Sequence, residues 1–138
     1  VCSSDLVHEA SQCEPRTDYD LAIVLRDEHR LVGGCGVYAR RLHYREYELG
    51  YCIAREAWGH GIAVEAVRAL LGFAFGQLDT HRVYASIDPR NAASIRVAEK
   101  LGFRREGCHQ RDTLVRGQWR DSLVYGLLAE EWPELEHT

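Results

Sequence analysis

Several absences limit what this sequence can be. It has no methionine and only three prolines. It also lacks the run of roughly 18 apolar residues that spans a membrane, and the basic start with an apolar segment that marks a signal peptide. We therefore expect a cytoplasmic protein with no membrane partner. Because the chain begins Val1-Cys2 rather than with methionine, we expect a fragment in which residues 1–6 are a candidate non-native segment.

The cysteines, histidines and charges argue against a disulfide-stabilised, a metal-binding or a nucleic-acid-binding protein. The five cysteines are odd in number and include no Cys-x-x-Cys pair, so the sequence encodes neither a disulfide framework nor a thiolate zinc site. The seven histidines show no metal-ligand spacing, and we expect no metal. A net charge of −4 argues against the broad basic face of a nucleic-acid-binding protein.

What remains is one compact domain of 138 residues, 46% of them hydrophobic. Residues 4–14 are typical of the end of a helix, and the next two apolar segments, 19–26 and 31–38, predict a β-hairpin. Residues 46–54 predict a third strand. Gly50 in its interior indicates either a bulge or a close approach of another backbone.

The second half of the chain alternates helices and strands. Apolar residues at helical spacing predict a long helix over 62–78, followed by a short strand over 82–87. Asn91 can cap a second helix, which ends where Gly102 can adopt a left-handed conformation. Residues 110–116 and 119–128 predict a final hairpin around Gly117-Gln118. This order predicts an α/β fold, a mixed sheet with helices packed on it.

A glycine-rich turn carries the first chemical signal. Gly59-His60-Gly61 follows a strand and begins the long helix, where the first helical N–H groups attract an anion such as phosphate. The lysine and the spacing of a Walker A loop are missing, and the third glycine of a dinucleotide fingerprint is replaced by Val64. Two interpretations remain open: a phosphate site, or glycines that only cap and pack the helix.

Three segments together resemble one family. Glu48-Leu49-Gly50-Tyr51, then residues 58–66, then residues 91–103 resemble the GNAT N-acetyltransferases, in the branch that includes ribosomal-protein alanine N-acetyltransferases. The likeness runs from about residue 19 to 132. It implies a single GNAT domain over 1–138 that lacks the family's first strand and helix. It also implies a mixed, mostly antiparallel sheet whose third strand and 82–87 strand splay apart around the pantetheine arm of acetyl-CoA.

The resemblance also implies an activity and a set of cofactor contacts. Acetyl would pass from acetyl-CoA to a primary amine, on a protein N-terminus or a small molecule, by direct attack in a ternary complex. A homodimer is left open. Asn91, otherwise an ordinary helix cap, would contact the cofactor arm, and backbone groups of Cys52 and Ile53 would pair with it. The pyrophosphate would meet backbone N–H groups of five consecutive residues: Gly59, His60, Gly61, Ile62 and Ala63.

Two residues are the candidates for catalysis. The resemblance makes Glu48 the general base that deprotonates the amine, against the alternative of an exposed strand carboxylate; Asp121, His109 and Asp112 are the fallback candidates. It places Ser94 near the cofactor sulfur. Where the wider family commonly has an acidic tyrosine, this chain has Ala98, which favours the rival hypothesis of a non-catalytic acyl-CoA-binding module.

Overall fold

The computed structural model describes residues 2–3 and 17–132, and the predicted helix end over 4–14 lies outside them. One sheet of seven strands runs in the order β1-β2-β3-β4-β5-β7-β6. Its strands are β1 (Cys2–Ser3), β2 (Asp18–Leu25), β3 (Arg30–Arg41), β4 (Glu46–Ile53), β5 (Arg82–Ile87), β6 (Arg104–Val115) and β7 (Gln118–Leu128). The helices are α1 (Ile62–Gln77), which joins β4 to β5, and α2 (Ala92–Lys100), which follows β5.

The sheet has one apolar and one polar face, as the period of two along each strand requires. Side chains such as Val37, Leu49 and Val83 are buried in one cluster with apolar residues of α1 and with Ala98 and Leu101 at the α2 end. Both helices therefore pack on this face. The opposite face, called here the polar face, carries Tyr38, Glu48 and Tyr84, which the strand register places side by side. Asp20 lies on the same face and accepts a 2.6 Å hydrogen bond from the Tyr38 phenol.

The predicted bulge at Gly50 is wrong. Gly50 pairs in regular register with Gly36 of β3, and the irregularity in this ladder falls between Ala39 and Arg41. No backbone closely approaches Gly50 either: a Cβ there would meet only the Tyr38 ring, at an ordinary contact distance of 3.4 Å. The glycine that makes room for Tyr38 is Gly36, where a Cβ would lie 2.5 Å from the phenol oxygen.

The final hairpin is confirmed, but its first strand begins earlier than the predicted residue 110. β6 starts at Arg104, directly after Gly102 ends α2 with a φ of 92°. Every residue of β6 is exposed, and β6 is one of the two edge strands of the sheet. The charged residues that suit an edge strand remove the apolar alternation from which a strand is predicted.

The two central strands, β4 and β5, are parallel and part early. Their pairing covers three residue pairs, Glu46 with Arg82, Tyr47 with Val83, and Glu48 with Tyr84, and then ends. Beyond Glu48, β4 continues for five residues paired only with β3. The predicted splay is therefore confirmed, and it opens a gap in the sheet toward the carboxyl ends of both strands.

Among the described helices, none combines the length and the apolar character required to cross a bilayer.

A buried carboxylate holds the closed end of this gap. Glu46 is 6% exposed, and its two oxygens accept hydrogen bonds from Arg41 Nε and Arg82 Nε, both at 2.8 Å. Hydrogen bonds from Arg41 and then Arg82 lower the pKa of Glu46, against the opposing effect of burial. Arg82 also donates to Glu106 of β6 at 2.7 Å, so this cluster connects four strands, β3 to β6.

We predict that Glu46→Gln lowers the free energy of unfolding by about 2 kcal/mol at neutral pH, since it removes a charge that two guanidinium groups hydrogen-bond. Because the folded-state pKa of Glu46 is depressed, its contribution is present above the usual carboxyl range and is lost as pH falls through the folded-state value. Urea unfolding should show the difference from wild type shrinking in acid. Glu106→Gln, at the more exposed partner of Arg82, should cost at most about 1 kcal/mol.

Candidate functional site

A groove of about 840 Å³ lies where β4 ends and both helices begin. β4 contributes Tyr51, Cys52 and Ile53 to its wall, the glycine-rich turn and the start of α1 form its end, and α2 forms the opposite side. Parallel strands joined by helices place both helix N-termini at the same edge of the sheet, so the groove lies at the carboxyl ends of β4 and β5.

The glycine-rich turn exposes the first N–H groups of α1. Gly59 and Gly61 have φ values of 83° and 72°, in the left-handed region that glycine tolerates. Gly61 is the N-cap of α1 and provides no capping side chain; the first intrahelical bond runs from Glu65 N to Gly61 O. The N–H groups ahead of Glu65 are therefore available to an anion at the positive end of the helix.

Trp58 fixes this turn to the end of β4. Its indole Nε1 donates a 2.8 Å hydrogen bond to the carbonyl oxygen of Ile53, and the Arg55 guanidinium lies 5.5 Å from its ring centroid. Because β4 has lost β5 as a neighbour here, the indole satisfies a carbonyl that would otherwise be unpaired. The sequence analysis assigned Trp58 no role of its own.

Asn91 caps α2 as predicted. Its side-chain oxygen accepts a 3.1 Å hydrogen bond from the backbone N–H of Ser94, and Asn91 also lines the groove. The cap orients Ser94 in the first turn of α2. Ser94 and Ala98, one turn apart, both line a second cavity of about 210 Å³.

This smaller cavity lies in the gap between β4 and β5. Leu49 and Gly50 form one wall, while Ala85, Ser86 and Ile87 form the other. Five residues line both it and the groove, and so mark where the two meet: Tyr51, Asp88, Asn91, Ser94 and Val97. The groove thus leads from the glycine-rich turn into the gap of the sheet.

A pair of hydroxyl groups lies at this junction. The Tyr51 phenol donates a 3.0 Å hydrogen bond to Ser94 Oγ. Burial raises the pKa of Tyr51, partly offset by the bond to Ser94. Sequence reasoning missed Tyr51 as a site residue. Strand parity could have placed it on the helix face, but not within reach of a residue 43 positions away.

Glu48 lies at the vertex of the splay, on the polar face. It is the last β4 residue paired with β5, opposite Tyr84, and its Oε1 accepts a 2.7 Å hydrogen bond from Arg40 Nε. Burial, and next the charge of Glu48, raise the pKa of the Tyr84 phenol. Glu48 and the Tyr51–Ser94 pair therefore flank the gap from opposite faces of the sheet.

The three fallback candidates for a base have local partners on the β6–β7 hairpin. Asp112 accepts hydrogen bonds from Ser122 at 2.6 Å and Thr113 at 3.1 Å, and lies 3.4 Å from His109. The bond from Ser122, the largest influence, lowers the pKa of Asp112 and so makes it a weaker base. Asp121 accepts from the backbone N–H of Arg111 within the same irregular stretch. None of the three lines either cavity.

Positive side chains along the groove were not anticipated. Arg90, Arg96 and Lys100 all line it. Arg96 and Lys100 are four residues apart and so share one face of α2, a spacing that the sequence does contain. In the part of the chain that the structure describes, no group of three or more His, Cys, Asp or Glu side chains is arranged to hold a metal ion.

The structure brings most of the predicted site residues together. Of the ten, eight line the groove: Cys52, Ile53, Gly59, Gly61, Ile62, Ala63, Asn91 and Ser94. His60 is exposed in the turn and does not line it, and Glu48 lies on the polar face. Cys52 is exposed, because strand alternation places its side chain on the polar face with Glu48.

Comparison with known proteins gives a consistent result. Residues 4–104 match the family model of the acetyltransferase (GNAT) domain. The uncharacterized N-acetyltransferase YnaD of Bacillus subtilis (strain 168) is 34% identical over 110 residues, which cover 80% of this chain and 64% of YnaD. The [ribosomal protein uS5]-alanine N-acetyltransferase of Escherichia coli (strain K12) is 33% identical over 84 residues, 61% of this chain and 43% of that protein.

A solved structure shares the fold. The ribosomal-protein-S5-alanine acetyltransferase from Vibrio fischeri superposes with a TM-score of 0.79 at 26% identity, over 86% of this chain and 66% of that one. The chain spans less than two thirds of the length of the first curated relatives that it matches.

We predict that Asn91→Ala lowers the free energy of unfolding by about 1 kcal/mol, because it leaves the Ser94 N–H without its capping acceptor. Asn91→Asp retains a carboxylate oxygen at the same position and should restore most of the loss. Chemical denaturation of the three proteins checks this. Equal stability of the alanine variant and the wild type would mean that the cap does not stabilise α2.

Proposed function

Because the chain belongs to the acetyltransferase (GNAT) domain family, we propose that it transfers an acetyl group from acetyl-CoA to a primary amine by direct attack in a ternary complex. The family uses acetyl-CoA as its acetyl donor. The observation that carries the proposal is the continuity of the groove with the gap in the sheet, since together they offer a path from an anion-binding helix start to a reaction centre between two strands.

In the proposed complex the diphosphate of acetyl-CoA binds backbone N–H groups of Gly59, His60, Gly61, Ile62 and Ala63. Phosphate charge favours the positive end of α1, and the cationic side chains of Arg96 and Lys100 border the same groove. The pantetheine arm would then lie along Cys52 and Ile53 as an added strand, using the β4 edge that β5 leaves free. Asn91 would contact this arm from α2.

The proposed reaction uses both faces of the sheet. The thioester would reach the gap from the helix side, and the amine would reach it from the polar face. Glu48 would take a proton from the attacking amine, directly or through water, because a protonated amine has no lone pair to attack with. A backbone N–H of Cys52 or Ile53 would stabilise the oxyanion of the tetrahedral intermediate.

The acceptor we propose first is the N-terminal amine of a protein. Support comes from the 33% identity to an enzyme named for acetylating the alanine of ribosomal protein uS5. A small-molecule amine is the alternative outcome of an acceptor screen. We further propose a cytoplasmic location, which agrees with the free thiols of Cys35, Cys52 and Cys108.

We predict that Gly61→Val weakens CoA binding at least about tenfold, because a β-branched residue cannot hold the left-handed conformation that presents the N–H groups of α1. Isothermal titration calorimetry with CoA measures this. Gly72→Ala is the matched control, since a Cβ there meets nothing within 4 Å. It should stabilise α1 by about 1 kcal/mol and leave CoA affinity unchanged. Unaltered affinity in the valine variant would remove the phosphate site from this turn.

We predict that Glu48→Gln lowers kcat by about 10²–10⁴-fold with little change in acetyl-CoA affinity, because the amide keeps the shape of the side chain and loses its basicity. Steady-state kinetics over a range of pH should show the largest loss in acid, where less of the amine is already deprotonated. Glu106→Gln changes another arginine-paired carboxylate and should leave the rate unchanged.

Two results would overturn parts of this scheme. Retained kcat and pH dependence in Glu48→Gln would make Glu48 structural. Binding of CoA without turnover, against both N-terminal peptides and small amines, would favour the non-catalytic acyl-CoA-binding module.

A further inference from the structure

We propose that Tyr51 and Ser94 form a two-hydroxyl proton relay to the departing sulfur of CoA, in which Ser94 is the catalytic group and Tyr51 a positioning residue that acts through it. The inference rests on the acetyl transfer proposed above. It assigns a function to a strand residue, Tyr51, at the junction of the groove and the gap.

Tyr51 and Ser94 lie at the junction of the groove and the smaller cavity. A thioester that follows the groove from the glycine-rich turn into the gap must pass the junction, which both hydroxyl-bearing residues line. The cationic side chains on the α2 side, Arg96 and Lys100, line the groove but not the smaller cavity. Asp88, also at the junction, is a carboxylate that accepts hydrogen bonds from Arg90 N and Arg120.

The hydrogen bond between the two hydroxyls runs from Tyr51 to Ser94. The Tyr51 phenol donates to Ser94 Oγ at 3.0 Å, which leaves the serine its own proton to donate. A hydroxyl that accepts a hydrogen bond becomes a better donor, since bonds in a chain polarise one another. The Asn91 cap holds the backbone of Ser94, so the serine is fixed from both sides. Burial raises the pKa of Tyr51, so the phenol holds its proton before the step and a tyrosinate formed in the step readily regains one.

The neighbouring position explains why a relay would be needed. Ala98, one turn along α2 on the same face, lines the smaller cavity with a methyl group that cannot donate a proton. An isolated serine hydroxyl is a weak acid. The Tyr51 phenol on β4 supplies the second proton donor that α2 lacks, because it reaches the helix from the opposite wall of the cavity.

When the tetrahedral intermediate collapses, the carbon–sulfur bond breaks and its electron pair goes to sulfur. The Ser94 proton moves to sulfur and gives the free thiol of CoA, while the Tyr51 phenol proton moves to Ser94 Oγ. The resulting tyrosinate takes a proton from solvent before the next turnover.

The test compares Tyr51→Phe with Tyr125→Phe. Both remove a phenol that hydrogen-bonds a side chain of α2, but Tyr125 contacts Glu99 and lines neither cavity. We expect Tyr51→Phe to lower kcat about tenfold with acetyl-CoA affinity nearly unchanged, and Tyr125→Phe to leave kcat unchanged. Adding Tyr51→Phe to Ser94→Ala should cost nothing further, because the phenol acts only through the serine.

A binding measurement separates a relay from a merely structural hydroxyl. At about pH 9, above the usual thiol pKa of about 8.5, CoA should bind wild type about tenfold more tightly than desulfo-CoA, because the pair hydrogen-bonds the thiolate. Tyr51→Phe and Ser94→Ala should each lose this preference while they still bind desulfo-CoA. Should Tyr51→Phe fail to fold, Ser94→Ala tests the serine on which the relay depends, and a preference retained in that variant would overturn the proposal.

Failure of the relay and failure of the proposed function would give different results. If wild type binds neither CoA nor desulfo-CoA, the proposed function fails. If wild type binds CoA and transfers acetyl, but Tyr51→Phe matches Tyr125→Phe in kcat and in thiolate preference, the relay is overturned and the proposed function stands.

Discussion

The early end of the pairing between β4 and β5 is the constraint on which the site depends. After Glu48 and Tyr84 the two strands part, so the backbone groups of β4 that face the gap have no strand neighbour. Such groups are costly to leave buried and unpaired, which makes this edge suited to a strand-like ligand. The indole of Trp58 satisfies the carbonyl of Ile53 at the far end, and the Glu46 cluster holds the near end closed.

The parallel orientation of β4 and β5 also places the two helix N-termini that form the rest of the groove. β4 and β5 are parallel, so α1 leaves the carboxyl end of one and α2 that of the other. Both helices therefore direct their positive ends and unpaired N–H groups toward the gap. α1 begins at a left-handed glycine with no capping side chain, while Asn91 caps α2. One helix start is thus left available to an anion, and the other is occupied in holding Ser94.

Local signals made much of this predictable. The cap at Asn91, the stop at Gly102 and the turn at Gly59 and Gly61 depend on neighbouring residues, and the sequence predicted each. The start of β6 was missed because an exposed edge strand has no apolar period. The Tyr51–Ser94 contact was missed for another reason: it joins a strand and a helix 43 residues apart, and no local pattern records that distance.

The two faces of β4 explain how one short strand can serve both halves of the proposed reaction. Glu48 and Tyr51 are three residues apart, so strand alternation places them on opposite faces of the sheet. The carboxylate then faces the side from which an amine would enter, and the phenol faces the helix that would hold the thioester. A one-residue slip of β4 would exchange these faces and bury Glu48 among apolar side chains. The regular pairing of Gly50 with Gly36 fixes that register between the two residues, so the absence of a bulge at Gly50 is what keeps base and relay on their separate sides.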